Sequence, residues 1–282
     1  MTKNIISTLI LSLVFIALTF FALSSYKSAK IYENTYKQYA QEQTIQNSIE
    51  NNTKEMLSGF IGALLGEKTN NSKNEIQTKQ QELENLKEKP KEYFTIYATI
   101  IALSLLSFFV VSKKVFLTYL HSVTLLSLVF GLISPIFMMY ILLDYNFQNI
   151  VSIKDAILQF ESLSLLESIN KLISVQEKYF VGGIILLFSV IFPLIKTLLS
   201  FANVFINHLT IVNKSTKLLS ALSKWSMTDV FVLSIFLVYL SSVNSGMSKI
   251  VTEIEVGFYF FFIYVILSIV LSFFNRIKVG VS

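Results

Sequence analysis

The sequence predicts an all-α polytopic integral membrane protein, crossing the bilayer about six times, with a helical extracytoplasmic hairpin between the first two spans. Three observations predict it. The 282 residues are 53% hydrophobic with 25 Phe and only 15% charged, and the mean hydropathy is +0.62, against roughly a quarter charged in an ordinary soluble domain. The apolar residues arrive in blocks the length of a bilayer crossing, where a soluble core would spread them at a period of two or 3.6. Basic and acidic residues are sorted onto opposite sides of those blocks.

The blocks are roughly 5 to 24, 94 to 112, 115 to 143, 179 to 201, 227 to 245 and 257 to 275. The first follows Lys3 and is predicted to be an uncleaved signal anchor. Its apolar part exceeds the about 7–15 residues of a secretory leader, and FALSSYKSAK offers poor cleavage sites. Residues 25–92 are predicted to form a helical stalk outside the membrane. They lack Pro until Pro90, and Ile76, Leu83 and Leu86 stand at heptad-like spacing, which implies a coiled coil with turns near Asn51-Asn52 and Asn70-Asn71. Between those turns Met56, Leu57, Phe60, Ile61, Leu64 and Leu65 share one helical face, to be covered by the stalk, by lipid or by a partner. The segment 146–178 is also predicted to be helical, from Ile150, Ile153, Ile157, Phe160 and the leucines from Leu163 to Leu172. The chain thus divides into a transmembrane hairpin with its stalk, residues 1–112, and a four-helix membrane block, residues 113–282, expected to fold without the hairpin.

Charge gives the orientation. With the amino terminus in the cytoplasm, the inside segments hold Lys3, Lys113, Lys114, Lys214, Lys217, Lys224, Arg276 and Lys278 and no acid. Of the 18 acidic residues, ten lie in 25–92, five in 144–178, and Glu253 and Glu255 also fall outside. Asp229 alone falls within a predicted span. Both termini are therefore expected in the cytoplasm, the protein sitting in a bacterial inner membrane.

Chemistry-bearing motifs are scarce. With no Cys there is no zinc ribbon, iron–sulfur cluster or thiol nucleophile. No Gly-rich phosphate loop and no G-x-S-x-G elbow occurs, so an enzyme is not expected. His121 and His208 have no companions at ligand spacing, and no metal or cofactor is expected. Gly182, Gly183 and Gly257, near the outer ends of spans, are expected to permit close helix approach. The informative polar residues are Lys196 and Asp229. A charge at the centre of a membrane helix costs roughly 2.5–3.5 kcal/mol, so each is paired, snorkelling, capping a helix or functional. On antiparallel neighbouring spans both lie at about the same depth, ~6 Å inside the inner boundary. Pro193, just before Lys196, predicts a local kink.

These residues fall within blocks that resemble the membrane module of the paraquat-inducible protein A family, which includes the LetA proteins. The blocks are GGIILLFSVIFPLIKTLLSF, LSALSKWSMTDVFVLSIFLVYL and EVGFYFFFIYVILSIVLSFF, and the positions that carry the resemblance are Phe188, Ser189, Pro193, Lys196, Trp225, Met227, Asp229, Val230 and Phe231. It covers roughly residues 115–276. The resemblance implies a component of a lipid-transport or envelope-maintenance system that handles membrane lipids with a periplasmic partner carrying mammalian-cell-entry (MCE) domains, and Lys196 and Asp229 as candidates for the transport pathway. A membrane sensor built on the outer hairpin, or an assembly subunit with no transport of its own, are the alternatives. Nucleic acid is not an expected partner, because the net charge of +5 is explained by topology.

The orientation is testable in this Cys-free chain by single-cysteine labelling. An impermeant thiol reagent applied to intact spheroplasts is expected to label cysteines placed at positions 70 and 165 and to miss those at 215 and 280. Labelling at 215 rejects the orientation.

Overall fold

The computed structural model describes residues 2–42, 71–147, 151–174, 178–205, 244–245 and 248–279. In chain order these form helix α1 (Thr2–Glu42), α2 (Asn71–Leu105) with a 3-10 turn over Leu106–Phe109, α3 (Lys113–Ile133), strands β1 (Pro135–Phe147) and β2 (Val151–Ser164), and α4 (Leu165–Ser174). Next come α5 (Tyr179–Leu186), a π-helical turn over Leu187–Ile191, α6 (Phe192–Phe205), β3 (Asn244–Ser245), β4 (Ser248–Ile254) and α7 (Val256–Val279). The protein is mostly helical, and among the described residues five helices are long and apolar enough to cross a membrane, α5 to α6 counting as one. The run 227–245 lies outside the described residues except for the β3 pair, as do the face from Met56 to Leu65 and the turns expected near Asn51 and Asn70.

The all-α expectation is corrected at residues 135–147, 151–164, 244–245 and 248–254, which form a four-stranded antiparallel sheet in the order β2-β1-β4-β3. The apolar run 115–143 is not one helix. It stops at Ile133 because Pro135 disfavours helical geometry in the residue before it, and Ser134 takes φ −78°, ψ 151°. The segment 146–178, expected to be helical, is strand to Ser164 and helix only from Leu165 to Ser174. Its β-branched and aromatic residues pair across the sheet, Phe160 opposite Tyr140 and Ile157 opposite Leu142. Helix α4 then starts from a capping box. The Ser164 N–H donates to Glu167 Oε2 at 2.8 Å and the Glu167 N–H to Ser164 Oγ at 3.2 Å.

Helices α1 and α2 pack antiparallel. Leu18, Ala22, Ser25, Ala29 and Tyr32 recur at alternating spacings of four and three and are all buried. Their small members let the backbones approach closely enough for Ser25 Oγ to donate to Pro90 O at 2.8 Å. The opposite flank of α1, with Ile6, Leu9, Leu13 and Ile16, is more than half exposed, as befits a surface facing acyl chains. Both helices also pack against the rest of the chain. The Tyr97 hydroxyl is 2.7 Å from Ser127 Oγ of α3, and the Phe94 and Tyr97 rings lie 5.1 Å from Phe260 of α7. Farther out, Tyr36 of α1 stacks on Phe160 at 5.0 Å, and Met138 is buried with Tyr32 and Leu83. The largest apolar cluster therefore draws on α1, α2, α3 and α7 together.

One joint holds these parts in place. Strands β1 and β4 pair through Phe137 and Ile254, and at the same level each becomes a helix, so the pair continues as α3 against α7. The Glu255 N–H donates to Ile136 O at 2.9 Å. A methyl group added at Gly257 would stand 2.6 Å from Pro135 O, and one at Gly131 would stand 2.8 Å from Phe261 N.

Charges gather beside this joint. Lys30 bridges Glu33 at 2.8 Å and Glu167 at 3.0 Å, and Lys87 meets Glu253 at 2.6 Å. Tyr140 Oη donates to Glu253 Oε1 at 3.1 Å. Glu255 is only 3% exposed. Its carboxyl is pushed up to about 7, first by burial and then by the Glu253 charge, with Lys91 and Lys87 acting the other way.

Two predictions follow from the joint. Gly257→Ala forces a methyl into backbone atoms and is expected to cost about 1–3 kcal/mol or more, seen as lost accumulation and a lower melting temperature. Gly183→Ala, with nothing within 4 Å of the new Cβ, is expected to be neutral on the same assays. For Glu255, the proton held at folding favours the native state below the ordinary carboxyl value of 4.5, and that stabilisation is lost as pH rises through about 7. The thermal stability of the wild type should therefore fall between pH 5 and pH 8 relative to Glu255→Gln, by up to roughly 3 kcal/mol at 1.36 kcal/mol per pKa unit. Parallel pH profiles for the two proteins would exclude Glu255 as the cause.

Candidate functional site

The span from α5 to α6 is apolar on its outer flank and polar on its inner one. Pro193 lacks an N–H and its ring crowds the carbonyl one turn back, and the helix accommodates this with the π turn over Leu187–Ile191, where the sequence predicts a kink. Phe188 and Phe192 close edge to face at 5.1 Å across that turn. The residues Ser189, Pro193, Lys196, Ser200 and Asn203 then follow at spacings of four, three, four and three, and all are buried. One helical face therefore carries a column of polar groups through an otherwise apolar span.

Helix α3 faces that column. His121 is 1% exposed, with Nδ1 2.7 Å from Leu117 O and Nε2 2.7 Å from Ser200 Oγ. A carbonyl only accepts, so Nδ1 carries the proton; in the neutral ring Nε2 then accepts from Ser200. The Phe201 ring lies 5.9 Å from the imidazole. Thr197 Oγ1 donates to Pro193 O at 2.8 Å, and Thr124 Oγ1 to Leu120 O at 2.7 Å, so these hydroxyls are satisfied within their own helices. Lys196 is 8% exposed and stands one turn from Ser200 on the same face. The result is a polar seam between α3 and α6, near the Lys113 end of the bundle, with a cation in it.

Of the residues singled out in the sequence, Phe188, Ser189, Pro193 and Lys196 lie together on this span. Trp225, Met227 and Asp229 lie outside the described residues, as does His208. Gly182 sits against α4, where a Cβ would meet Ile173 Cγ1 at 2.9 Å, and Gly257 sits in the joint, whereas Gly183 faces open space. The His121–Ser200 contact was missed by sequence reasoning. The signal that could have found it is the 3-and-4 spacing of Lys196, Ser200 and Asn203 within one span. Among the described residues no group of His, Asp and Glu converges as metal ligands.

Comparison with known proteins places this arrangement. No curated protein and no solved structure matches the chain significantly. Residues 136–278 match the profile described as Paraquat-inducible protein A, a stretch that runs from β1 through the seam helix to α7. With half of its length covered by that match, the chain belongs to the paraquat-inducible protein A family.

Proposed function

We propose that the protein is a non-catalytic inner-membrane component of a lipid-transport or envelope-maintenance system, with both termini cytoplasmic, and that it acts with an MCE-domain partner outside the membrane. The family match over residues 136–278 carries this reading, because the α6 side of the buried seam, with Lys196 and Ser200, falls inside it. A charged side chain in a span is costly unless it serves pairing or a polar path, and Lys196 is buried on the same helical face as Ser200 and Asn203. Lys196 and Asp229 then form a pair at the inner end of a lipid-accessible space, and the stalk helices reach toward the partner. One feature favours the alternative of a sensor or assembly subunit: α1 is tied to α4 by the Lys30–Glu167 bridge and α2 to β4 by the Lys87–Glu253 bridge, a connection for an outer signal.

A double-mutant cycle on Lys196 and Asp229 tests the transport reading, with membrane accumulation and a lipid-dependent growth phenotype as readouts. Lys196→Ala and Asp229→Ala are each expected to impair both, since removing one partner strands the other charge. Replacing both together by Met and Leu is expected to restore accumulation and leave growth impaired. Additive effects on both readouts would show that the two residues do not interact. Normal growth of the double replacement would favour a subunit that moves no lipid.

A further inference from the structure

A second feature lies beside the seam, on the flank of α3 that faces α1. A cavity of about 360 Å³ opens between α1, α3 and the end of α6, within the size range of small-molecule sites. Its walls are the Leu11 and Phe15 side chains of α1, Val115 of α3 and the Phe205 ring. Three of the hydroxyls on its wall are already committed to their own helices. Ser12 Oγ donates to Leu9 O at 2.8 Å, Thr118 Oγ1 to Lys114 O at 2.9 Å and Ser122 Oγ to Thr118 O at 3.0 Å. Away from Lys114 the cavity therefore presents mostly hydrocarbon.

Among the described residues that line it, one is charged. Lys114, the second residue of α3, lines the cavity with its Nζ 5.6 Å from the Phe205 ring centre, and no Asp or Glu is among the lining residues. From Lys114 to Ser122 the helix rises about 12 Å, from headgroup level into the hydrocarbon. The neighbouring α1 side chains Leu9 and Leu13 are 64% and 70% exposed, so the opening faces the acyl chains of the surrounding bilayer. A molecule that fits this shape has an anionic head and an aliphatic tail.

We infer that this groove is a resident site for an anionic phospholipid of the leaflet at the Lys113–Lys114 end, with its phosphate on Lys114 and one acyl chain between α1 and α3. The site does not depend on the transport reading. Apart from Phe205 its walls lie outside the family match, on helices that the match does not include.

The test is native mass spectrometry of the full chain in detergent, titrated separately with dioleoyl phosphatidylglycerol and dioleoyl phosphatidylcholine. The wild type is expected to bind the anionic lipid about tenfold more tightly. Lys114→Gln, at an exposed position, is expected to reduce that preference to parity, while Lys113→Gln, adjacent to Lys114 but not lining the cavity, leaves it intact. Ser122→Phe and, from the α1 side, Ser12→Phe fill the cavity and are expected to weaken both lipids. Circular dichroism and a single elution peak confirm that each variant is folded. Equal binding of the two lipids by the wild type overturns the proposal. Equal losses in the two lysine variants would reduce the effect to surface charge and also overturn it, as would full phosphatidylglycerol binding by both folded Phe variants.

Discussion

The structure depends on the place where two antiparallel strands turn into two antiparallel helices. Helix α3 leads into β1 at Ser134-Pro135, and β4 leads into α7 at Glu255-Val256, at one level of the molecule. Helix and strand satisfy backbone hydrogen bonds in incompatible ways, one within the segment and the other between segments, and a change of regime leaves polar groups to be paired. Here the Glu255 N–H is taken up by Ile136 O, and glycine at 257 allows the helix start to touch the Ser134 and Pro135 carbonyls. Because α3 and α7 leave the joint already side by side, their packing within the membrane and the sheet register outside it are set together.

What the joint positions is arranged on two sides. Outward, the sheet offers Met138, Tyr140 and Phe160 to the upper halves of α1 and α2, with the Lys87–Glu253 bridge at the edge. A bridge of that kind at a half-buried site contributes orientation more than net stability, because desolvation offsets much of the Coulomb gain. The aromatic contacts bear the packing. Inward, α3 presents His121 to the seam and Val115, Thr118 and Ser122, on the adjacent flank, to the apolar groove. A single helix thus borders both a polar column and a largely hydrocarbon-lined cavity, and what marks the seam is the Ser200 hydroxyl that reaches across to His121.

The membrane-crossing helices were legible in the sequence because a bilayer imposes a length and a composition at once, and the runs at 5, 94, 179 and 257 mark four of the described helices. The sheet was not legible. Its strand β1 is as apolar as a membrane span, and only Pro135 distinguishes it, by forbidding helical geometry at Ser134. Strand β2 carries Ile153, Ile157 and Phe160 at helix-like intervals, and tertiary pairing with β1 overrides that local pattern. The packing of α1 was written in Leu18, Ala22, Ser25, Ala29 and Tyr32, a signal carried by small residues, which hydrophobic periodicity discounts. For the site, Pro193 announced the π turn and Lys196 announced the polar face, but a histidine far away in sequence shows no local sign of its partner.

The π turn relieves a clash without breaking the polar seam. Ser189, Pro193, Lys196, Ser200 and Asn203 recur at the four-and-three spacing that keeps residues on one face of an α-helix, and Lys196, Ser200 and Asn203 lie in the regular helix downstream of the turn. The turn absorbs the crowding at Pro193, and the regular geometry that follows holds the three polar side chains on the buried face. On the opposite face a lysine, an asparagine and a serine hydroxyl would meet only hydrocarbon. Within the turn the same division holds, since Ser189 and Val190 are buried while the apolar Leu187 and Ile191 are exposed, so the widened backbone still sends its polar side chain inward.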